Sequence, residues 1–445
     1  MSPKHAVVSR IGAGAGFAGD RVDPAVTLAA SGEVDAVVLE CLAERTLVPG
    51  IKVRSENPSA GADPRLRRRL SPLFPAAHRT GCRIVSNLGA ANPVAAGAAI
   101  AKLAQELGLP GKRVAAIEGD DVMALREHID WVRPVQGHLL GAHVYLGCVP
   151  LSDALEQGAD VVVTGRVADS ALFSAVARRH LLPGEDALAG AITVGHLLEC
   201  GGQLTGGNYD PVGGPQATCR RLSAQDFARL GYPLAHVYAD GSADITILDN
   251  TPGIVDAMTC SLQLLYEVHD PSRYATPDLV VDFSGVRFEQ IGPNRVHMSG
   301  ARSLGPPPSL KVSGFLELPG VIIDCEIGFA GTGAADRALM AAETLRWRLA
   351  DWPQDSVSID IVGIDSILHG GSVQTRPGAE LRVHVSARCQ DLEQAQVVED
   401  EVYALTLSGP AGGCSVRSER RPRIEVLDGF IAASRVRTQI VWSQS

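Results

Sequence analysis

From residue 6 to about 180, short apolar runs of β character alternate with Ala-rich segments whose apolar positions recur at helical spacing. "AVVSRI", "DAVVLECLAER", "CRIVSNLG", "RVAAIEGDD", "GAHVYLG" and "ADVVVTGR" read as strands. "PAVTLAASG", "NPVAAGAAIAKLAQELG" and "PLSDALEQG" read as helices between them. That order predicts right-handed crossovers and a parallel sheet, because a helix packed back on a twisted sheet returns the chain in the same direction. Between about 181 and 280 the pattern turns irregular and glycine-rich, in "ECGGQLTGGNYDPVGGP" and "LDNTPGIVDAMTC", as in loops with functional or lid-like roles. From about 281, strands such as "GVIIDCEIGF" and "ELRVHVSARC" are set against two amphipathic helices, "GAADRALMAAETLRWRLA" and "LEQAQVVEDEVYALTLSG". The expectation is an α/β chain: an N-terminal parallel-sheet domain of βα repeats over residues 1–280 and a C-terminal α+β domain over 281–445.

Polar residues follow each strand. Asp20 and Arg21 come after the first, Glu40, Glu44 and Arg45 after the second, and Asn87 and Asn92 after the third. Glu118, Asp120 and Asp121 close the fourth, Tyr145 the next, and Arg166 and Asp169 the last. Strand ends of a parallel sheet gather on one edge, where ligands bind, so one site fed by several loops is expected.

The first loop, "RIGAGAGFAGDRVDP", holds Gly14-x-Gly16-x-x-Gly19. In a dinucleotide fingerprint the glycine turn opens the helix directly, which aims unpaired N–H groups at a pyrophosphate. Here Asp23-Pro24 reads as N-cap and first helical position, setting the helix several residues beyond Gly19. Asp20 also puts an anion into the supposed phosphate site, whereas Glu40 stands about where a ribose-binding acid would. The glycines therefore read as a free loop, with Gly14 and Gly16 offered to a substrate.

Composition narrows the classes. A net charge of −10 over 445 residues argues against a nucleic-acid or anionic-membrane surface. The one cationic cluster, Arg65, Arg67, Arg68 and Arg69, reads as a solvated helix face, with a phosphate or acyl-carrier contact as the alternative. Nine scattered cysteines without a C-x-x-C pair write neither a zinc knuckle nor a disulfide framework. No signal-like or membrane-spanning apolar stretch is present, so a cytoplasmic location is expected.

Clustered acids repel, and a divalent cation such as Mg²⁺ relieves that repulsion through oxygen ligands; Glu40, Asp120 and Asp121 are the expected ligands. Helix capping is the alternative for the aspartates. Arg45 and Arg166 suit planar recognition of a carboxylate or phosphate, and with Asn87 and Asn92 would hold an acidic substrate and its enolate. Pairing with Glu44 or Asp169 is their structural alternative. His143 and Tyr145, on one side of a strand, and His196 and Glu199, on one helix face, are the candidates for proton transfer, with Tyr209 in the glycine-rich loop. No G-x-S-x-G elbow appears, and acids beside Cys41 disfavour its thiolate.

"RIGAGAGFAGDRVDPAVTLAASGEVDAVVLECLAERT", "IEGDD", "YLGCVPLSDALEQGADVVVTGRVADSAL", "GHLLECGGQLTGGNYDP", "QLLYEVHDPSRYATPDLVVDF" and "GPAGG" together resemble the acyclic terpene utilisation AtuA family, over nearly the whole chain. The resemblance implies a place in carbon-skeleton catabolism, where the acyclic terpene route runs through branched acyl-CoA esters. The segment "ITILDNTPGIVDA" departs from the Lys-Pro that many members carry, so a terpene substrate is not carried over. The residues favour a hydro-lyase acting next to the carboxylate or thioester of a small acidic or acyl-CoA metabolite, with CoA as part of the substrate. A carbon–carbon lyase or isomerase uses the same enolate, and a noncatalytic nucleotide- or CoA-binding subunit is the alternative of another class. A homo-oligomer is expected from strands such as "GVIIDCEIGF", which would leave an apolar face or edge open, with a second small subunit as a further option.

Overall fold

The computed structural model describes residues 6–208, 221–367 and 380–445. The chain divides into two compact units: the first takes it up to Arg133, then Leu140–Gly314 and Leu427–Ser445, and the second takes Pro134–Leu139 and Phe315–Val426.

The first unit runs β1 (Val7–Ala15), α1 (Asp23–Ser31), β2 (Ala36–Leu39), α2 (Glu44–Glu56), α3 (Leu66–Thr80), β3 (Arg83–Ser86), α4 (Pro93–Glu106), β4 (Arg113–Glu118), α5 (Val149–Glu156), β5 (Val161–Thr164) and α6 (Asp169–Ala177). It continues with α7 (Glu185–Leu198), β6 (Pro233–Tyr238), β7 (Ala243–Ile247), α8 (Ala257–Leu265), β8 (Arg287–Gly292) and β9 (Arg295–Ser299). One ten-stranded sheet forms, in the order β8-β9-β7-β6-β1-β2-β3-β5-β4 and then the C-terminal strand Gln439–Gln444.

Its centre, β1-β2-β3-β5-β4, is parallel. Its wings are antiparallel, so the sheet is mixed and not wholly parallel as expected. The central strands are apolar on both faces, and alternate residues enter two separate cores. Val38, Val85 and Val162 pack with α5, α6 and α7, while Val37, Ile84 and Val163 pack with α1, α3 and α4.

Three local expectations change. β2 ends at Leu39 and α2 begins at Glu44, so "DAVVLECLAER" is strand, loop and helix rather than one strand. The strand His138–Val144, which shares only Gly141–Val144 with "GAHVYLG", is not a member of the large sheet. Residues 181–280, read as irregular, include α7, β6, β7 and α8.

In the second unit β10 (Ser309–Ala330, from Phe315 onward) is followed by α9 (Ala334–Arg348), β11 (Val357–Val362), β12 (Glu380–Cys389), α10 (Leu392–Ser408) and β13 (Cys414–Ala432, to Val426). β12 lies between β10 and β11 in antiparallel register. Ile323, Cys325, Ile327 and Phe329 alternate into a core shared with Ala338, Val398 and Val402 of the two helices. The apolar face of "GVIIDCEIGF" is thus covered within this unit by α9 and α10. Among the described residues no helix is long and apolar enough to cross a membrane.

Candidate active site at the sheet edge

The parallel strands end on one edge, and the loops after β1, β2 and β5, with the segment after α7, enclose a cavity of about 620 Å³. Gly16, Asp20, Glu40, Glu44, Arg166, Asp169, Glu199 and Cys200 line it. Asn87, after β3, stands behind this wall: its Nδ2 donates to Glu40 Oε1 at 2.9 Å and its Oδ1 accepts from the Cys41 amide at 2.7 Å.

Arg166, 3% exposed, is held on several sides. Its backbone N–H donates to Asp120 Oδ2 at 2.8 Å and its Nη1 to the Leu42 carbonyl. The guanidinium lies 4.2 Å from the centre of the Tyr145 ring, and Nη2 stands 3.5 Å from Asp169 Oδ1. Nε has no hydrogen-bond partner, and neither do Asp169 Oδ1 and Glu199 Oε2.

The acids differ in state. Burial raises the Glu40 pKa, and the donors Asn87 and Leu42 with the charge of Arg166 offset it only in part. Asp169 keeps 35% of its side-chain surface. That surface faces the cavity and a second one of about 210 Å³, so enclosure by protein still pushes its pKa well up against the pull of Arg166. Burial also opposes charge on Glu44, but Arg166 and the hydroxyl of Tyr145, which donates to it, hold its pKa below the usual range. The Tyr145 phenol is pushed up by burial despite Arg166, and its hydrogen is committed to Glu44.

The glycine loop serves close packing. A Cβ on Gly16 would run into the backbone of Cys200, and one on Gly14 would lie 2.5 Å from Val37 Cγ1. Gly16 lines the cavity, whereas Gly14 is a core contact. The Gly16 amide donates to Asp20 Oδ2 at 2.8 Å, placing a carboxylate where a phosphate would sit. Asp23 is not the N-cap; Val22 holds that position, and Asp23 in the first turn pairs with Arg21 at 2.7 Å. Arg69, expected on a solvated face, is 2% exposed and donates to the carbonyls of Ala18 (2.8 Å), Asp20 (3.1 Å) and Phe17 (3.3 Å), clamping the loop from below.

Other expected residues stand apart. Asn92 caps α4 through Ala95 N (3.2 Å) and donates to the Pro58 and Ala60 carbonyls, while Arg45 is exposed on the first turn of α2, outside the cavity lining. His143 Nδ1 lies 2.9 Å from Asp120 Oδ2, and its ring lines a different recess with Arg54 and Asp121. Asp121 accepts from Met123 N at 3.1 Å and faces Arg54 at 3.4 Å. Glu40, Asp120 and Asp121 therefore do not form the expected metal site. Among the described residues no group of three or more His, Cys, Asp and Glu side chains is arranged to hold a metal ion. His196, 2% exposed, touches Glu199 but does not line the cavity. Tyr209 lies outside the described residues.

Asp169 and Arg69 lacked a place among the expected site residues although signals existed. Asp169 follows Arg166 by three positions, within reach of an ion pair across the first turn of α6. Arg69 falls with Leu66, Leu70 and Leu73 on the i, i+3, i+4, i+7 stripe of α3, and all four are buried.

No curated protein and no solved structure matches the chain. The family model described as "Acyclic terpene utilisation family protein AtuA" matches residues 9–442. The chain belongs to the acyclic terpene utilisation AtuA family.

Proposed function

We propose that the protein is a lyase that removes a proton next to a carboxylate or thioester carbonyl and expels a β-hydroxyl as water. The observation behind this reading is the pair of buried polar atoms without hydrogen-bond partners on two side chains of one cavity, Arg166 Nε and Glu199 Oε2, beside Asp169, whose Oδ1 meets only Arg166 Nη2 at 3.5 Å. Leaving such an atom unpaired costs about 1–3 kcal/mol, a cost that a bound ligand relieves. The cavity volume is that of a small-molecule site.

Dehydration needs a base for the α-proton, a donor for the developing oxyanion and an acid for the leaving hydroxyl. Carboxyl groups in different surroundings serve as base and acid, and Arg166 Nε–H as the donor. The α C–H bond breaks as the base takes the proton, and the electron pair moves onto the carbonyl oxygen. Its return forms the C=C bond while the hydroxyl leaves with the proton of Asp169, whose pKa burial raises. Hydration is the reverse. A small hydroxyacid or its CoA thioester is the substrate class. The nucleotide-binding alternative lacks comparable support, since the Gly16 amide is taken by Asp20.

The test is incubation of the purified protein with 3-hydroxyacyl and 2-enoyl pantetheine thioesters and their free acids in 18O-labelled water, read by mass spectrometry. Incorporation by the wild type, reduced about a hundredfold or more in Asp169→Asn, is expected. Deuterium exchange at the α-carbon without 18O uptake would move the reading to a carbon–carbon lyase or isomerase. Neither signal with any probe would overturn the enzyme reading.

A further inference from the structure

His196 sits in the last turn of α7 with both ring nitrogens engaged. Nε2 lies 3.1 Å from the Leu264 carbonyl oxygen and Nδ1 lies 2.9 Å from Glu199 Oε1. A carbonyl oxygen only accepts, so Nε2 carries a hydrogen. That fixes the other contact. With Nδ1 bare and Glu199 ionised, a ring lone pair would face an anionic oxygen at 2.9 Å with no hydrogen between them. One proton therefore lies between the two groups, on the ring or on the carboxyl. In either arrangement Glu199 Oε2, the oxygen without a partner, is left as an acceptor.

We propose that His196 and Glu199 form a dyad holding one proton at rest, that Glu199 Oε2 is the cavity's proton acceptor, and that His196 is its positioning residue. The role of base rests on the lyase reading; the shared proton does not. Taking the α-proton onto Oε2 gives the dyad a second proton and a positive charge, which balances the negative charge of the enolate formed in the same step.

The surroundings agree. The rings of Tyr274 and Phe283 lie 4.8 and 5.7 Å from the imidazole centre and fix its plane. Burial by itself disfavours the protonated ring, but the charge and hydrogen bond of Glu199, the Leu264 carbonyl and the charge of Glu267 outweigh it, and the net shift is upward. Burial disfavours charge on the Tyr274 phenol, so Glu199 and Glu267 are the acidic groups acting on the ring. Burial pushes Glu40 and Asp169 toward the protonated form, and Glu199 shares its proton with His196 while keeping one oxygen without a hydrogen-bond partner.

The test is 15N imidazole spectroscopy of the whole chain from pH 5 to 9, with His196 assigned from the spectrum of His196→Gln. Nε2 is expected to stay protonated throughout, and the titration to lie above that of an ordinary histidine. In Glu199→Gln it should fall by about one to three units. 13Cδ-glutamate labelling of the wild type reads the same proton from the carboxyl side, which keeps the test decisive if a variant fails to fold. A His196 ring with bare Nε2, or a titration unchanged in Glu199→Gln, would overturn the dyad. For the positioning role, the pH profile of α-deuterium exchange on the pantetheine thioesters should shift in His196→Gln, while in Glu199→Gln exchange should be lost at every pH. If the spectra hold and no thioester exchanges, the dyad stands and the lyase reading falls. Exchange with the wrong spectra sinks the dyad alone.

Discussion

Asn87 ties Glu40 to the end of the neighbouring strand, donating to Oε1 at 2.9 Å while its own Oδ1 holds the Cys41 amide at 2.7 Å. Both residues are buried, Asn87 to 1% and Glu40 to 7% exposure, so neither bond is replaced by water when it is lost. Asn87→Ala should therefore destabilise the fold by about 1–3 kcal/mol, the cost of a buried amide without a partner, and raise the Glu40 pKa further. Urea unfolding measures the first effect. A change within the scatter of surface substitutions would mean that the strand ends are held by something else.

Arg166→Met removes the cation among Glu44, Asp169 and Glu40. Breaking a buried pair from one side costs about 3–5 kcal/mol, and that loss is expected at neutral pH. The sign of its pH dependence follows from Glu44, whose folded pKa lies below its ordinary 4.5 because of Arg166 and Tyr145. Such a carboxylate contributes stability that is present above 4.5 and disappears as pH falls through the folded value. The gap between wild type and variant should thus narrow in acid. Thermal melts across pH 3 to 8 check it, and a constant gap would remove Arg166 from the electrostatics of the site.

Asp169→Asn has the opposite sign. Its folded pKa lies well above the ordinary 3.8, so the native state holds a proton that the unfolded chain has released. The contribution of Asp169 to stability is therefore fully present below 3.8 and lost as pH rises toward the folded value. The variant lacks this loss, and its stability relative to wild type should improve from pH 4 upward while dehydration falls. Denaturant unfolding at several pH values decides it; relative stability that does not improve with pH would contradict the assignment.

Gly16→Ala sets a Cβ against the Cys200 backbone, which no side-chain rotation relieves. Loss of about 1–3 kcal/mol is expected from overpacking, together with displacement of the segment that carries Glu199. A melting temperature equal to wild type would show that the loop is looser than it looks.

Much of the central sheet is legible in the sequence because strands buried on both faces read as runs of Val and Ala, as in "AVVL" and "VVVT". The wings are not, since "PLAHVY" and "ADITI" stand amid glycine-rich text and the strand Gln439–Gln444 returns from the far end of the chain. The strand-end rule reaches Glu40, Asn87 and Arg166, but it does not separate them from Arg45, Asn92 and Asp121, which lie slightly farther on and turn to helix or solvent. His196 and Glu199 are readable as an i, i+3 pair, but the carbonyl that fixes the tautomer belongs to Leu264, 68 residues away. The Arg69 clamp on the glycine loop joins residues about fifty apart, a distance local periodicity does not span.

Hydrogen–deuterium exchange at the α-carbon of a pantetheine thioester in D2O most directly tests whether this cavity transfers protons. Exchange catalysed by the wild type, cut about a hundredfold or more in Glu199→Gln yet retained in Asp169→Asn, is the predicted result, because only water departure depends on the aspartic acid. Exchange equally fast in Glu199→Gln, or none in the wild type with any thioester of the series, would contradict it.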